Sequence, residues 1–177
     1  RLTCVDKANV FAAFAFFRKI FDERGEAFPD IEKAYAYVDA TALDMVRKPW
    51  EFDVMVTENM FGDILSDLGA GLMGGLGLAP SADIGADHAV FQPCHGSAPD
   101  IAGQGVANPF AMILSGAMML DWLGHQHDLP EMIRDGQNLS AAVDAAIADG
   151  GSLTRDLGGT ASTTEAAEAV MHALGSI

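Results

Sequence analysis

Positive charge is scarce in this sequence: ten Lys and Arg stand against 25 Asp and Glu, a formal net charge of −15. A phosphate backbone or an anionic membrane is recognised by clustered cations, and here the few cations are scattered, so nucleic-acid and anionic-membrane partners are excluded. Cysteine is equally sparse. Cys4 and Cys94 lie far apart without metal-ligand spacing, which speaks against a disulfide framework and for a reducing, cytoplasmic setting. Long apolar runs are also missing. The most apolar helical stretch, 109–123, is interrupted by Ser115 and Gly116 and is too short to cross a bilayer. The first residue is Arg1 rather than Met, and "RLTCVD" already reads as a strand, so the chain is expected to be a fragment or to lack its start.

What is present is a globular chain. Half of its 177 residues are apolar, enough for one good core or two small lobes. "RLTCVDK" reads as a strand leading into a helix over 9–24, where Phe11, Phe14, Ala15, Phe17 and Phe21 recur at helical spacing. "KAYAYVD" (33–39) alternates as a half-buried strand and gives way to a short helix stopped by Pro49; "DVMVT" (53–57) is a short apolar strand before a helix from about Phe61. A loop follows the Gly-rich 69–77, then a strand at "HAVFQP", a Gly/Pro/Ala loop at 95–108, helices at 109–123 and 129–149, and a last helix from Thr164. Strand and helix in alternation predict an α/β architecture. The Gly-rich segment near 74–80 is the one plausible lobe boundary.

The stretch "FGDILSDLGAGLMGGLG" (61–77) poses a choice between two chemistries. It contains a literal G-x-G-x-x-G at Gly69, Gly71 and Gly74. A dinucleotide fingerprint needs a strand before its first glycine and a helix opening at its last, because the pyrophosphate sits on that helix's N-terminus. Here a helix precedes Gly69 and "GLGLAPSA" follows, so the match reads as accidental, the glycines serving close packing and the end of the helix. Asp63 and Asp67, at i and i+4, share one helix face beside apolar Ile64, Leu65 and Leu68. Two like charges held that close favour a cation between them, and a hard ion such as Mg2+ or Mn2+ suits carboxylate ligands. Taken alone, such a pair is more often surface charge.

The segments "VDKANV", "YVDA", "TENMFGDILSDLGAG", "HGSAPDIAGQGVANP" and "DLGGTAST", in this order and at these intervals, resemble the second half of the β-decarboxylating 2-hydroxyacid dehydrogenases, the isopropylmalate, isocitrate, homoisocitrate and tartrate dehydrogenase family. The likeness runs from Arg1 to about Ala173. It implies an isopropylmalate-dehydrogenase-like, non-Rossmann two-lobe fold of which the C-terminal half is present. Residues 1–74 would belong to the dimer-forming, metal-binding lobe and 75–177 to the NAD-binding lobe. The resemblance implies that Asp63 and Asp67 ligate Mg2+ or Mn2+ and that Asp39, from a partner subunit, is the third acid. Lys7, also contributed across a homodimer with a shared active site, would take part in proton transfer at the substrate hydroxyl. Helices 39–48 and 61–74 would pack against their counterparts in the partner.

By the same resemblance the cofactor is NAD, held by the loop "HGSAPDIAG". His95 and Asn108 would lie beside the adenine, Gly96, Ser97 and Ala98 would allow close backbone approach, and Asp100 would bind the ribose. An acid at that position accepts hydrogen bonds from a free 2′-hydroxyl and repels a 2′-phosphate; NADP-using relatives carry Lys then Tyr where this chain has Asp100 and Ile101. Apart from the resemblance, His95 reads as a buried, satisfied histidine, and Cys94 beside it lacks a base partner. His125 and His127 read as ordinary surface residues. Two departures stand out: Gln92 where many relatives have Glu, and Glu58 where many have a small or neutral residue. The family's carboxylate-gripping arginines, catalytic tyrosine and specificity residues would lie upstream of Arg1, and "LMGGLGLAPSADIG" is somewhat closer to the isocitrate and homoisocitrate branch, with isopropylmalate-type relatives also plausible.

The implied function is NAD- and divalent-metal-dependent oxidative decarboxylation of a 3-carboxy-2-hydroxy acid, a small di- or tricarboxylate. The competing expectation is a truncated, non-catalytic piece that only folds and dimerises, its uncovered strand edges and apolar surface favouring association.

Overall fold

The computed structural model describes residues 1–177, and the chain divides into two compact units, Arg1–Leu72 and Met73–Ile177. In the first unit β1 (Leu2–Asp6), β2 (Lys33–Tyr37) and β3 (Val54–Val56) form a parallel sheet in the order β2-β1-β3. The central strand β1 is the buried one, with Thr3, Cys4, Val5 and Asp6 all out of solvent, as expected of a strand flanked on both sides in a parallel sheet. Helices α1 (Ala12–Gly25) and α2 (Val38–Arg47) follow β1 and β2, and α3 (Asn59–Leu72) follows β3. The strand-helix alternation read from the sequence is therefore the observed architecture.

The Phe-rich spacing does produce α1, with Phe14, Phe17, Arg18 and Phe21 as its half-buried stripe. No residue of α1 is fully buried, however, and Phe11 and Phe16 are 55% and 63% exposed. Phe14 packs on Phe61 of α3 with ring centroids 4.8 Å apart, and Phe21 meets Tyr35 edge-on at 5.7 Å. The helix α2 ends at Arg47 because Pro49 two residues on cannot continue it, and Pro49–Glu51 closes as a 3-10 turn.

The second unit opens with an antiparallel hairpin of β4 (Pro80–Ile84) and β5 (Ala89–Pro93), followed by α4 (Phe110–His127), α5 (Pro130–Asp149) and α6 (Thr163–Leu174). The strand β4 corrects the sequence reading, which left this stretch as loop. "PSADI" holds a single β-branched residue, and its pairing with β5, Ser81 opposite Gln92 and Asp83 opposite Val90, comes from the partner strand rather than from local propensity. The helix read over 109–123 is α4, continuous through Ser115, whose hydroxyl donates to the carbonyl of Ala111 at 2.8 Å. No helix is long and apolar enough to cross a membrane.

Phe110, Ala142, Val143, Ala146, Ala166 and Val170 form the core of this unit. The pair α4 and α5 approaches closely at Gly136, where a β-carbon would lie 2.7 Å from the carbonyl oxygen of Ala117 and 3.2 Å from the amide of Asp121. A clash with backbone cannot be relieved by a rotamer change. Gly136→Ala is therefore expected to destabilise by about 1–2 kcal/mol, overpacking of about 1–3 kcal/mol exceeding the roughly 1 kcal/mol that alanine gains in a helix. Urea unfolding monitored by circular dichroism checks it; an unchanged or raised midpoint would contradict this close approach.

Candidate functional site

The carboxyl ends of β1 and β2 lie side by side, Asp6 being registered with Tyr37. The residues leaving those strands are thus brought to one edge of the sheet, where ligand sites of open parallel sheets lie. Lys7, directly after β1, donates its Nζ to Oδ1 of Asp39 in the first turn of α2. The same ammonium stands 5.6 Å from the centroid of the Tyr37 ring. The Lys7 hydrogen bond, with help from backbone amides at the start of α2, holds the Asp39 carboxyl below the usual carboxylate range.

A depressed carboxyl pKa supports the folded form above the unfolded value, and that support is lost as pH falls through the folded value. Lys7→Ala should accordingly raise the Asp39 titration midpoint toward an ordinary aspartate, read from its side-chain carboxyl chemical shift. A midpoint unmoved by the substitution would show that the pair does not form in solution.

One residue back, Asp6 has no exposed surface. Its carboxylate accepts two hydrogen bonds from Arg18 of α1, Nε to Oδ2 at 2.7 Å and Nη2 to Oδ1 at 2.8 Å, and a third from the amide of Ala8 at 2.8 Å. Cys4, also buried, points its thiol at the same carboxylate at 3.6 Å. Burial, and then the charge of Asp6, pushes that thiol up to about 12, so it is not a nucleophile at neutral pH.

Asp63 and Asp67 lie on α3, and both are exposed. Leu65 is buried but Ile64 is 57% exposed, so within the chain the acids occupy a solvated face, contrary to the apolar surroundings read from the sequence. Neither carboxylate is paired with a Lys or Arg, and the one side-chain partner is Asn59, 3.4 Å from Oδ2 of Asp63. No three His, Cys, Asp or Glu side chains gather around a common point in the chain; Asp39 is with Lys7. The G-x-G-x-x-G is accounted for as expected: Gly69 and Gly71 are inside α3, and Gly74 and Gly75, at φ of 118° and 132°, follow its end without opening another α-helix.

Glu58 is explained by the start of α3. Its two carboxylate oxygens accept from the amides of Met60 at 3.0 Å and Phe61 at 2.7 Å, satisfying two donors that a helix N-terminus leaves without intrahelical partners. Glu58→Ala is expected to cost about 1 kcal/mol, in the range of a lost N-cap, measured as a lowered denaturation midpoint. No loss would mean that water serves those amides equally well.

In the second unit, the segment 94–98 leaves β5 without regular structure, and Gly96, Ser97, Ala98 and Asp100 are all exposed. His95 is half-buried, and its Nδ1 lies 2.9 Å from the carbonyl of Gly96. A carbonyl only accepts, so Nδ1 carries the proton and Nε2 is left as an acceptor. Ala98 is held at φ 44°, left-handed and directly before Pro99, a conformation disfavoured for alanine and found where function constrains a loop. The Asp100 carboxylate has no hydrogen-bond partner; its backbone carbonyl accepts from Gln104 at 2.8 Å.

Asn108 is fully engaged within the chain. Its Oδ1 accepts from the amide of the buried Phe110 at 2.9 Å, and its Nδ2 donates to Asp156 at 2.9 Å. Asp156 also accepts from the buried Thr154 at 2.6 Å. A β-carbon on Gly77 would meet Asp156 at 2.5 Å and Asn108 at 2.8 Å, so Gly77 is glycine because these side chains fill its space. Asp156, Thr154 and Gly77 were not singled out from the sequence; the acid inside the Gly-flanked "TRDLGG" was the available signal. Asp6 and Arg18 were also missed, being a strand residue and a helix residue without a local motif.

The model of the isocitrate/isopropylmalate dehydrogenase family matches residues 1–170. The chain belongs to that family. It is 48% identical over 171 residues to a 3-isopropylmalate dehydrogenase of Lactococcus lactis, covering 96% of this chain and 48% of that protein. It is 49% identical over 172 residues to an isocitrate/homoisocitrate dehydrogenase of Thermus thermophilus, covering 97% and 49%. The crystal structure of isocitrate dehydrogenase from Methylococcus capsulatus superposes with a TM-score of 0.87 at 46% identity, over 98% of this chain and 50% of that one. The isopropylmalate-dehydrogenase-like fold expected from the motifs is thus the fold of the family, and the chain spans about half the length of these relatives.

Proposed function

We propose that this chain supplies the proton-transfer, metal and nucleotide elements of an NAD-dependent dehydrogenase that oxidatively decarboxylates a 3-carboxy-2-hydroxy acid. The observation that carries the reading is the Lys7–Asp39 pair, formed across 32 residues at the carboxyl edge of a parallel sheet. A lysine held there with a defined partner is placed for chemistry rather than simply solvated.

The residues present fit the groups that the reading requires. Asp63 and Asp67 offer hard oxygen donors on one helix face with no cation competing for them, and Asp39 from a second subunit would complete the set for Mg2+ or Mn2+. The exposed backbone of Gly96, Ser97 and Ala98 and the unpartnered Asp100 carboxylate fit the diphosphate and the ribose hydroxyls of NAD. When bound, the ion supplies Lewis acidity toward substrate oxygens and the nicotinamide accepts hydride.

On this reading Lys7 Nζ, after releasing one proton to solvent, takes as a neutral amine the proton of the C2 hydroxyl, directly or through water, as C2 gives up hydride. The ammonium so formed is held by Asp39, and the 2-keto acid then releases its β-carboxylate as carbon dioxide, the electron pair of the broken bond passing into an enolate that takes a proton at C3. Asn108, fixed by Asp156 and Phe110, keeps the start of α4 and the nucleotide loop in one arrangement. Exposed Leu43 and Val46 on α2 and Met60 and Ile64 on α3 support burial against a second copy in a homodimer with a shared site.

Nicotinamide reduction, followed by absorbance with isopropylmalate, isocitrate and tartrate, tests this in the full-length protein that carries the chain. Turnover with one of them should require Mg2+ or Mn2+ and fall by about a hundredfold or more in Lys7→Ala and Asp63→Asn. Metal-independent turnover, or full activity in both variants, would overturn the assignment. The 177-residue chain alone, in which no three-donor cluster forms, is expected to be inactive.

A further inference from the structure

The Lys7–Asp39 pair does not stand alone. Asp6, immediately before Lys7, is the most deeply buried acid of its unit and is gripped by the fork of Arg18. The third hydrogen bond on Asp6 comes from the amide of Ala8, so the carboxylate pins the backbone on both sides of Lys7. Arg18 reaches Asp6 across the faces of two aromatic rings, its guanidinium carbon 5.2 Å from the Tyr35 centroid and 5.4 Å from that of Tyr37. Tyr37 is also the ring over which the Lys7 ammonium stands, at 5.6 Å. One ring therefore serves two cations, one fixed by a buried carboxylate and the other bearing the proposed chemistry. The Tyr37 hydroxyl has no hydrogen-bond partner, in contrast to that of Tyr35, which donates to Asp22, so it is the face of Tyr37 that does the holding.

We infer that Asp6, Arg18 and Tyr37 form a bracket that positions Lys7: Asp6 and Arg18 set the backbone that carries it, and the Tyr37 ring fixes where its ammonium lies. This rests on the reading of Lys7 as the proton acceptor and assigns positioning residues to that step. A lysine stem has four rotatable carbons, and Asp39 constrains only its tip, from an exposed position. Without the ring and the fixed backbone, the amine would spread over several rotamers while the ion pair persisted. Proton transfer depends on distance and angle, so the effect falls on the chemical step.

The test uses the full-length protein, with Arg18→Lys, which keeps a charge opposite Asp6 but loses the fork, and Tyr37→Leu, which leaves the Asp6–Arg18 pair untouched. Tyr37→Phe is the conservative control. Both test variants should lower kcat about tenfold with little change in KM, while Tyr37→Leu retains a melting temperature close to that of the parent. In the metal-free, cofactor-free protein, labelling of Lys7 by an amine-reactive reagent, measured against the exposed Lys19 by mass spectrometry, should rise several-fold in Tyr37→Leu. Tyr37→Phe should restore both readouts. Unchanged kcat and Lys7 labelling in Tyr37→Leu, with Lys7→Ala inactive, would overturn the bracket and leave the proton-acceptor reading intact. Turnover retained by Lys7→Ala would overturn that reading, and with it any catalytic sense of the bracket. Should Arg18→Lys fail to fold, Tyr37→Leu decides alone.

Discussion

The first unit is organised around a charge with nowhere to go. Asp6 is wholly buried at the end of the central strand, and a carboxylate out of water costs several kcal/mol unless its oxygens are satisfied. Arg18 supplies the opposite charge and two of the three strong hydrogen bonds. Such a pair is weak evidence of net stability, since an apolar replacement often does as well, but it has only one good geometry. That matters here because α1 buries no residue completely. Its orientation on the sheet depends on a half-buried aromatic stripe, which can slide, and on the Arg18 fork, which cannot.

The other acids of this unit meet different fates. Eight of the ten Lys and Arg lie within residues 1–72, and six of them, all but Arg24 and Arg47, pair with Asp6, Asp22, Glu23, Asp39, Asp44, Glu51 and Asp53. Glu58 is taken up by helix amides. Asp63 and Asp67, on the same helix, are left without cations amid this supply, four residues apart and mutually repulsive. Glu26, Asp30 and Glu32 also lack a Lys or Arg partner, so what sets this couple apart is its spacing on one helix face. The second unit has only Arg134 and Arg155, so on the proposed reading backbone amides are the main donors that this unit offers to a dinucleotide diphosphate. Its exposed loop has a left-handed Ala98 and glycines at positive φ at 103 and 105, a type of backbone conformation that also occurs in anion-binding turns.

Much of this was legible beforehand, for reasons that differ from residue to residue. Helix α1 could be read because its phenylalanines recur at the helical period, and the end of α2 because Pro49 forbids continuation. The spurious dinucleotide fingerprint could be dismissed because a helix, not a strand, leads into Gly69. Strand β4 could not be read: its residues favour turns, and only pairing with β5 makes it a strand. The Asp6–Arg18 bond joins residues twelve apart on different element types, a relation that neither helical nor strand periodicity encodes. Glu58 looked like an added charge of uncertain effect until the two amides that it caps were visible. The solvated setting of Asp63 and Asp67 could not be read from apolar neighbours in sequence, because one of them, Ile64, is itself exposed.

The relatives sharpen what this stretch of polypeptide contributes. A 3-isopropylmalate dehydrogenase and an isocitrate/homoisocitrate dehydrogenase match it at 48% and 49% identity over nearly the same span. A segment so evenly shared between enzymes named for different substrates carries what their reactions have in common. On the proposed reading this agrees with the residues on it: Lys7 for a proton, Asp63 and Asp67 for an ion and the loop after β5 for a dinucleotide. None of these reads the substituent at C3. The selectivity that separates such enzymes requires contacts to that substituent, and on the proposed reading it falls to residues in the part of the longer relatives that this chain does not match.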